Sequence, residues 1–151
     1  MKKTPAFSHL DEKGQARMVD VGHKPAQSRH AVAEAMLECR PATLKLLRQK
    51  ALPKGDVLTV AQVAGIQAAK KTSDLIPLCH SLPLDHANVR FELRKQGIHI
   101  LAEASTSAKT GVEMEALTAA SVAALTLYDM CKAVDKTMII TGLRVVEKTK
   151  R

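Results

Sequence analysis

Ala31-Val-Ala-Glu-Ala-Met-Leu-Glu-Cys-Arg40 is the segment on which the fold turns. Its alanines and glutamates favour a helix. Its order favours a strand. Ala31, Ala33, Ala35, Leu37 and Cys39 alternate with Val32, Glu34, Met36, Glu38 and Arg40, the period of two that sends alternate side chains to opposite faces of a sheet. If the segment is extended, the chain reads strand, helices, strand, strand, helix, strand. The expected fold is then α+β: a ferredoxin-like, split βαβ antiparallel sheet with helices packed on one face.

The flanks supply the other elements. Residues 1–17 are polar, with Pro5 and Gly14, and are expected as a flexible N-terminal arm before a single domain over 18–151. Met18–Val21 reads as a short extended piece ended by Gly22. Pro41 suits the first turn of a helix running to about Ala51, before Pro53. Lys54-Gly55-Asp56 is a tight turn. Thr59-Val-Ala-Gln62 is a capping-box pattern opening a helix to about Lys71. Residues 72–86 show no period and hold Pro77 and Pro83; unpatterned stretches of this length usually serve a site. Asn88–Arg94 alternates, with Val89, Phe91 and Leu93 inward. Gln96-Gly97 turns the chain into a partner strand carrying Ile98, Ile100, Ala102 and Ala104. Ser105–Gly111 reads as a loop, Gly111 to about Val134 as a long helix, and Met138–Glu147 as a β-branched strand followed by a basic tail.

At 151 residues the chain is long enough for a sizeable core. Aromatic residues are only 2% of it and Trp is absent, so Ala, Val, Leu, Ile and Met must fill that core, and burial between copies is expected to add to it. The formal charge of +8 points to an anionic partner. A basic ferredoxin-like sheet that bound RNA would ordinarily present stacked aromatics; here only Phe7, Phe91 and Tyr128 exist. Cys39, Cys79 and Cys131 lie far apart with no CxxC, which indicates neither a disulfide framework nor a zinc site. No apolar run reaches membrane-spanning length. Reduced cysteines and a cytoplasmic setting are expected.

On a helical wheel the long helix divides. Glu115, Thr118, Ser121, Thr126, Asp129, Lys132 and Lys136 fall in one sector. Ala116, Ala119, Ala120, Ala123, Ala124, Leu127 and Val134 fall opposite, and so many alanines mean that another element comes very close. Asp129 and Lys132, at i and i+3, can touch. Such a pair serves either proton transfer or a solvated surface contact. Lys54 in its rigid turn, and His80 in the unpatterned stretch, carry the same two readings. The Ser105–Gly111 stretch offers a helix N-terminus to an anion, but it lacks the order of a Walker A loop.

Two long motifs decide more. Lys70-Lys-Thr-Ser-Asp-Leu-Ile-Pro-Leu-Cys-His80 and Lys109-Thr-Gly-Val-Glu-Met-Glu-Ala-Leu-Thr-Ala-Ala-Ser-Val-Ala-Ala-Leu-Thr-Leu-Tyr-Asp-Met-Cys-Lys-Ala133 resemble the MoaC family of molybdenum cofactor biosynthesis. Met18–Val21, Lys54–Asp56 and Ala64–Lys70 extend the likeness, which covers about residues 8 to 147. The resemblance implies a hexamer, a trimer of dimers, with sites between subunits. It implies conversion of 3',8-cyclo-7,8-dihydro-GTP, supplied by a radical SAM GTP cyclase, into cyclic pyranopterin monophosphate. Pyrophosphate is released, and neither metal nor redox cofactor is required. The family's acid–base roles carry over to Asp129, Lys132 and Lys54, with lysine pKa values lowered toward neutrality by crowding or desolvation. Substrate contacts carry over to Leu78, Cys79, His80, Met114 and Glu115; Glu113 and Glu115 straddle the helix start, where a carboxylate can hydrogen-bond the guanine-derived N–H edge. Arg29, and secondarily Lys70, are expected phosphate contacts. The chain departs from the family pattern in its terminal basic run.

Overall fold

The structure is a computed structural model that describes residues 10–11 and 13–151. Residues 1–9 and 12 of the expected arm lie outside the described residues. The rest of that arm forms an isolated antiparallel bridge between Leu10 and Ala16.

The ambiguous segment is a strand. β1 spans Gln27–Glu38. It is followed by α1 (Pro41–Arg48), α2 (Val57–Lys70), a short α3 (Thr72–Leu75), β2 (His86–Arg94), β3 (Gly97–Ala108), α4 (Glu113–Cys131) and β4 (Ile139–Lys150). The strands form one sheet in the order β2-β3-β1-β4, and every pairing is antiparallel. Helix propensity lost to tertiary context in β1: as a central strand it pairs on both edges, and Ala31, Ala33, Ala35 and Leu37 are almost wholly buried.

Those residues share a face with Ile98, Ile100, Ala102 and Ala104 of β3, by the register Ala31↔Ala104 and Ala33↔Ala102. Onto this face α4 lays Ala116, Ala119, Ala120, Ala123, Ala124 and Leu127, none more than 1% exposed. Small side chains on both surfaces let helix and sheet approach closely. α2 packs beside α4, and Gly65 is the point of nearest approach. A Cβ at Gly65 would lie 2.8 Å from Val89 Cγ2 and 2.9 Å from the Ala119 carbonyl oxygen.

Several expectations shift. Helix α2 begins at Val57, two residues before the expected cap, because Asp56 is the N-cap: its Oδ1 accepts from the Thr59 amide at 3.1 Å and its Oδ2 from the Thr59 hydroxyl at 2.9 Å. The 72–86 stretch opens with α3 before running irregularly. Met18–Val21, read as a short extended piece, joins no sheet. Ser105–Ala108 is the end of β3 rather than loop, with Thr106 and Ala108 continuing the inward alternation. The basic tail is also sheet: Lys148, Thr149 and Lys150 pair with Ala31, His30 and Arg29.

Asp135 ties the end of α4 to the exit of β1. It is fully buried. It accepts from the Arg40 amide (2.9 Å), the Thr43 hydroxyl (2.8 Å) and the amide and hydroxyl of Thr137 (3.0 and 2.8 Å), and pairs with the Arg40 guanidinium at 3.2 Å. Burial acts to raise its pKa, but these donors outweigh burial and hold it below the usual carboxylate range. Its contribution to stability is therefore complete above the unfolded-state pKa near ~3.9 and is lost as pH falls through the lower folded value.

Two stability outcomes follow from this packing. Gly65→Val should lower stability by about 1–3 kcal/mol through overpacking, read as a lower urea midpoint. Asp135→Ala should cost about 3 kcal/mol at pH 7, because it strands buried donors and the Arg40 charge. The gap between that variant and the parent should narrow as pH falls below about 4; an unchanged gap would mean that the carboxylate's charge is not what stabilises this junction.

Candidate active site

The chemistry-bearing side chains gather at the two ends of α4. At its C-terminal end, Lys54 reaches across from the turn before α2. Its Nζ lies 3.0 Å from Asp129 Oδ2 and 3.2 Å from the Asp129 carbonyl. Lys132 Nζ lies 2.6 Å from Asp129 Oδ1. Each carboxylate oxygen thus holds one ammonium, and residues separated by 75 positions in sequence converge. With Tyr128, Ala133 and Lys136 they line a depression of about 510 Å³.

The electrostatics of this group run against the expectation of lowered lysine pKa values. The Lys132 pKa is raised, chiefly by its hydrogen bond to Asp129 and then by the charge of that carboxylate. Asp129 is held below its ordinary value by the hydrogen bonds from Lys132 and Lys54. Lys54, Lys132 and Asp129 side chains are 45%, 55% and 56% exposed, so in a single chain the pairing outweighs what desolvation there is.

At the N-terminal end, Ile76, Leu78, Cys79, His80, Thr110, Gly111, Glu113 and Met114 line a second depression of about 380 Å³. The His80 Nε2–H donates to the Val19 carbonyl at 2.7 Å, which leaves Nδ1 as the acceptor. Lys109 Nζ donates to the Gly22 carbonyl at 2.7 Å. The segment that runs from Val19 to Gly22 is thus laid against the site by these side chains. Glu115 sits below the depression, 2% exposed. The Cys79 thiol donates to its Oε1 at 3.8 Å, and its Oε2 has no partner among the described residues. Burial is the main cause that raises the Glu115 pKa, which favours the neutral acid. The same burial raises Cys79 and pushes the Cys131 thiol up to about 11. All of Cys39, Cys79 and Cys131 are free.

Glu113 folds back over Gly111, where any Cβ would collide with its carboxylate. Its Oε1 pairs with Lys148 at 3.2 Å. Beyond it, Arg29, His30, Gly111, Glu113, Lys148, Thr149 and Lys150 line a third depression, of about 440 Å³. Arg29 thus joins the N-terminal group. Lys70 joins neither: it stands exposed at the end of α2 and lines none of these depressions. Sequence reasoning overlooked Lys148 and Lys150. The signal was their spacing of two, which sets both on one face of a strand, but a Lys-Thr-Lys run reads first as a solvated tail. It also placed Glu115 and Thr118 in the polar sector of α4, and both are buried. Ser121 and Thr126 turn inward to the helix, donating to the carbonyls of Leu117 (2.8 Å) and Val122 (2.7 Å).

Residues 18–151 match the model of the MoaC family. The chain belongs to the MoaC family. It is 54% identical over 151 residues to the cyclic pyranopterin monophosphate synthase of Nitratidesulfovibrio vulgaris, covering 99% of this chain and 94% of that one. It is 57% identical over 144 residues to the synthase of the same name from Chloroflexus aggregans, covering 94% of this chain and 87% of that one. Similarity at 57% identity over 143 residues also extends to a molybdenum cofactor biosynthesis bifunctional protein of Chlorobaculum tepidum, covering 95% of this chain and 46% of that protein. Among the described residues of this MoaC-family chain, no helix is long and apolar enough to cross a membrane.

The pairing at Asp129 sets a pH signature. Removing the carboxylate removes the cause that raises the Lys132 pKa. Asp129→Asn should therefore move any basic limb of the pH–rate profile that reports Lys132 to lower pH. A limb that stays in place would separate Lys132 from the rate-controlling ionisation.

Proposed function

We propose that this chain is a cyclic pyranopterin monophosphate synthase. It takes 3',8-cyclo-7,8-dihydro-GTP, delivered by a radical SAM GTP cyclase, and releases cyclic pyranopterin monophosphate and pyrophosphate, acting as a phosphorus–oxygen lyase in molybdenum cofactor biosynthesis. The observation that carries the reading is the meeting of Lys54 and Lys132 on the two oxygens of Asp129, in a chain 54% identical to a protein of that name.

The chemistry asks for proton transfers at a purine-derived ring. It then asks a hydroxyl to close on the inner phosphorus as the bond to pyrophosphate breaks. The hydroxyl proton must be taken up, and the negative charge on the departing pyrophosphate must be met by cations. Two ammoniums held 2.6 and 3.0 Å from one carboxylate supply an acid–base set with fixed geometry. The N-terminal depression supplies recognition. Leu78 and Met114 offer apolar faces to a flat ring, His80 Nδ1 an acceptor, and Glu113 a carboxylate for ring N–H groups. Arg29 offers a bidentate donor to phosphate.

Within one chain these halves stand at opposite ends of α4. Glu113 and Asp129 are about 24 Å apart at the helical rise of ~1.5 Å per residue, farther than one nucleotide-sized substrate bridges compactly. The reading therefore takes each working site to combine the C-terminal group of one copy with the N-terminal group of another, in a homohexamer built as a trimer of dimers. Covering the exposed trio in this way desolvates its lysines and drives their pKa values downward.

Incubating purified protein with the cyclised GTP should release pyrophosphate, and no release would refute the reading. Lys54→Ala, Asp129→Ala and Lys132→Ala should each lower turnover by roughly 10²-fold or more with the assembly intact. Near-normal turnover in all three would remove them from the chemistry.

A further inference from the structure

The depression beside the start of α4 also holds Lys148 and Lys150 of β4. In the register of β1 with β4, Arg29 lies opposite Lys150 and Ala31 opposite Lys148. By the two-residue period of a strand, Arg29, Lys148 and Lys150 therefore share one face. The Arg29 Nη2 donates to Gln27 at 3.0 Å, while its Nε is buried with no partner among the described residues. Among the described residues Lys150 has no carboxylate partner. Among the described residues the sole acid lining the depression is Glu113, which is already bound to Lys148 at 3.2 Å. The first turn of α4, where backbone N–H groups stand free and the dipole is positive, borders it as well. The basin is therefore cationic beyond its own neutralisation and fits an oligophosphate.

Gly111 and Glu113 line both this basin and the neighbouring depression of Leu78, Cys79, His80 and Met114. Glu113 is the wall between them. Its carboxylate lies folded over Gly111 and is held on the basin side by Lys148. The Lys148 side chain is 69% exposed, and an exposed ion pair of this kind is weak. An oligophosphate, with several charges, competes for Lys148 on favourable terms.

We propose that Lys148 is a positioning residue that passes from Glu113 to the substrate's phosphates. Filling the basin it forms with Arg29 and Lys150 thereby releases Glu113 to accept N–H groups of the ring in the adjoining depression. Binding of the charged end of the substrate thus completes the recognition of its heterocycle. The inference rests on the synthase reading for the identity of that substrate, though not for the presence of the anion subsite.

The test uses inorganic tripolyphosphate and pyrophosphate as probes, titrated calorimetrically into the assembled protein at fixed salt. Lys148→Gln/Lys150→Gln should weaken tripolyphosphate binding at least about 10-fold, whereas the exposed α1 control Lys45→Gln should stay within about 2-fold. Glu113→Gln should tighten tripolyphosphate binding by a few fold, and should not do so in the Lys148→Gln background. An unchanged dissociation constant in the double lysine variant overturns the subsite. Equal tightening by Glu113→Gln with and without Lys148 overturns the exchange. Weak binding at crowding concentrations alike in all variants, an adventitious ion only, also overturns the subsite. None of these readouts depends on turnover, so a protein that released no pyrophosphate from the cyclised GTP would fail the synthase reading without touching the anion subsite or the Lys148 exchange.

Discussion

The close contact between the alanine face of α4 and the alanine-lined face of the sheet is the constraint from which the rest follows. Ala119, Ala120, Ala123 and Ala124 leave no freedom for the helix to roll, and Gly65 brings α2 against it where no side chain fits. Interiors packed to this density have discrete arrangements rather than a continuum. A nineteen-residue rod held in this way fixes, at one stroke, the directions of Glu113 and Glu115 at its start and of Asp129 and Lys132 at its end. A chain poor in aromatic side chains gains from this economy, because small residues bury area by proximity instead of bulk.

The two ends differ in electrostatic character. The C-terminal group is an exposed set of two ammoniums on one carboxylate, in which the hydrogen bonds from Lys132 and Lys54 lower the Asp129 pKa and Asp129 raises that of Lys132. The N-terminal group contains a buried carboxyl, Glu115, pushed toward its neutral form, beside an excess of cations from β1 and β4. A solvated ion pair of the first kind does little by itself. Its placement becomes consequential once a neighbouring surface excludes water from it. Asp135 supports that placement by locking the turn after α4 to Arg40 and Thr43, so the helix end cannot fray away from Lys54.

Much of this was legible in the sequence, and the misreadings share a cause. The alternation in 31–40 kept a strand open beside the helix that its composition favours, and pairing on both edges decides for the strand. The wheel found the alanine face and the Asp129–Lys132 contact, while the grouping of Lys54 with them came from the family resemblance. What failed was the equation of polar with solvated. Thr106 and Ala108 extend β3 through a stretch that looked like loop, and Lys148 and Lys150 close an edge strand, where charged residues are the usual occupants. Glu115 and Thr118 fell in the polar sector of the wheel, yet both are buried, Glu115 beneath Cys79. Asp56 displaced Thr59 as cap because its side chain satisfies both the amide and the hydroxyl of Thr59, a geometry that the capping-box spacing hid. Lys70 matched its family motif by order alone; the end of α2 leaves it outside both groups.

The claim that matters most is that a working site joins the two ends of α4 from different copies. Subunit complementation tests it directly: Lys132→Ala and His80→Ala proteins, each inactive alone, are unfolded together, reassembled at equal ratio and assayed for pyrophosphate release from the cyclised GTP. Shared sites predict recovery of roughly a quarter of the parent activity, since random mixing restores one intact site in each mixed pair. Activity that stays at the level of the separate variants, in assemblies shown to be mixed, would contradict it.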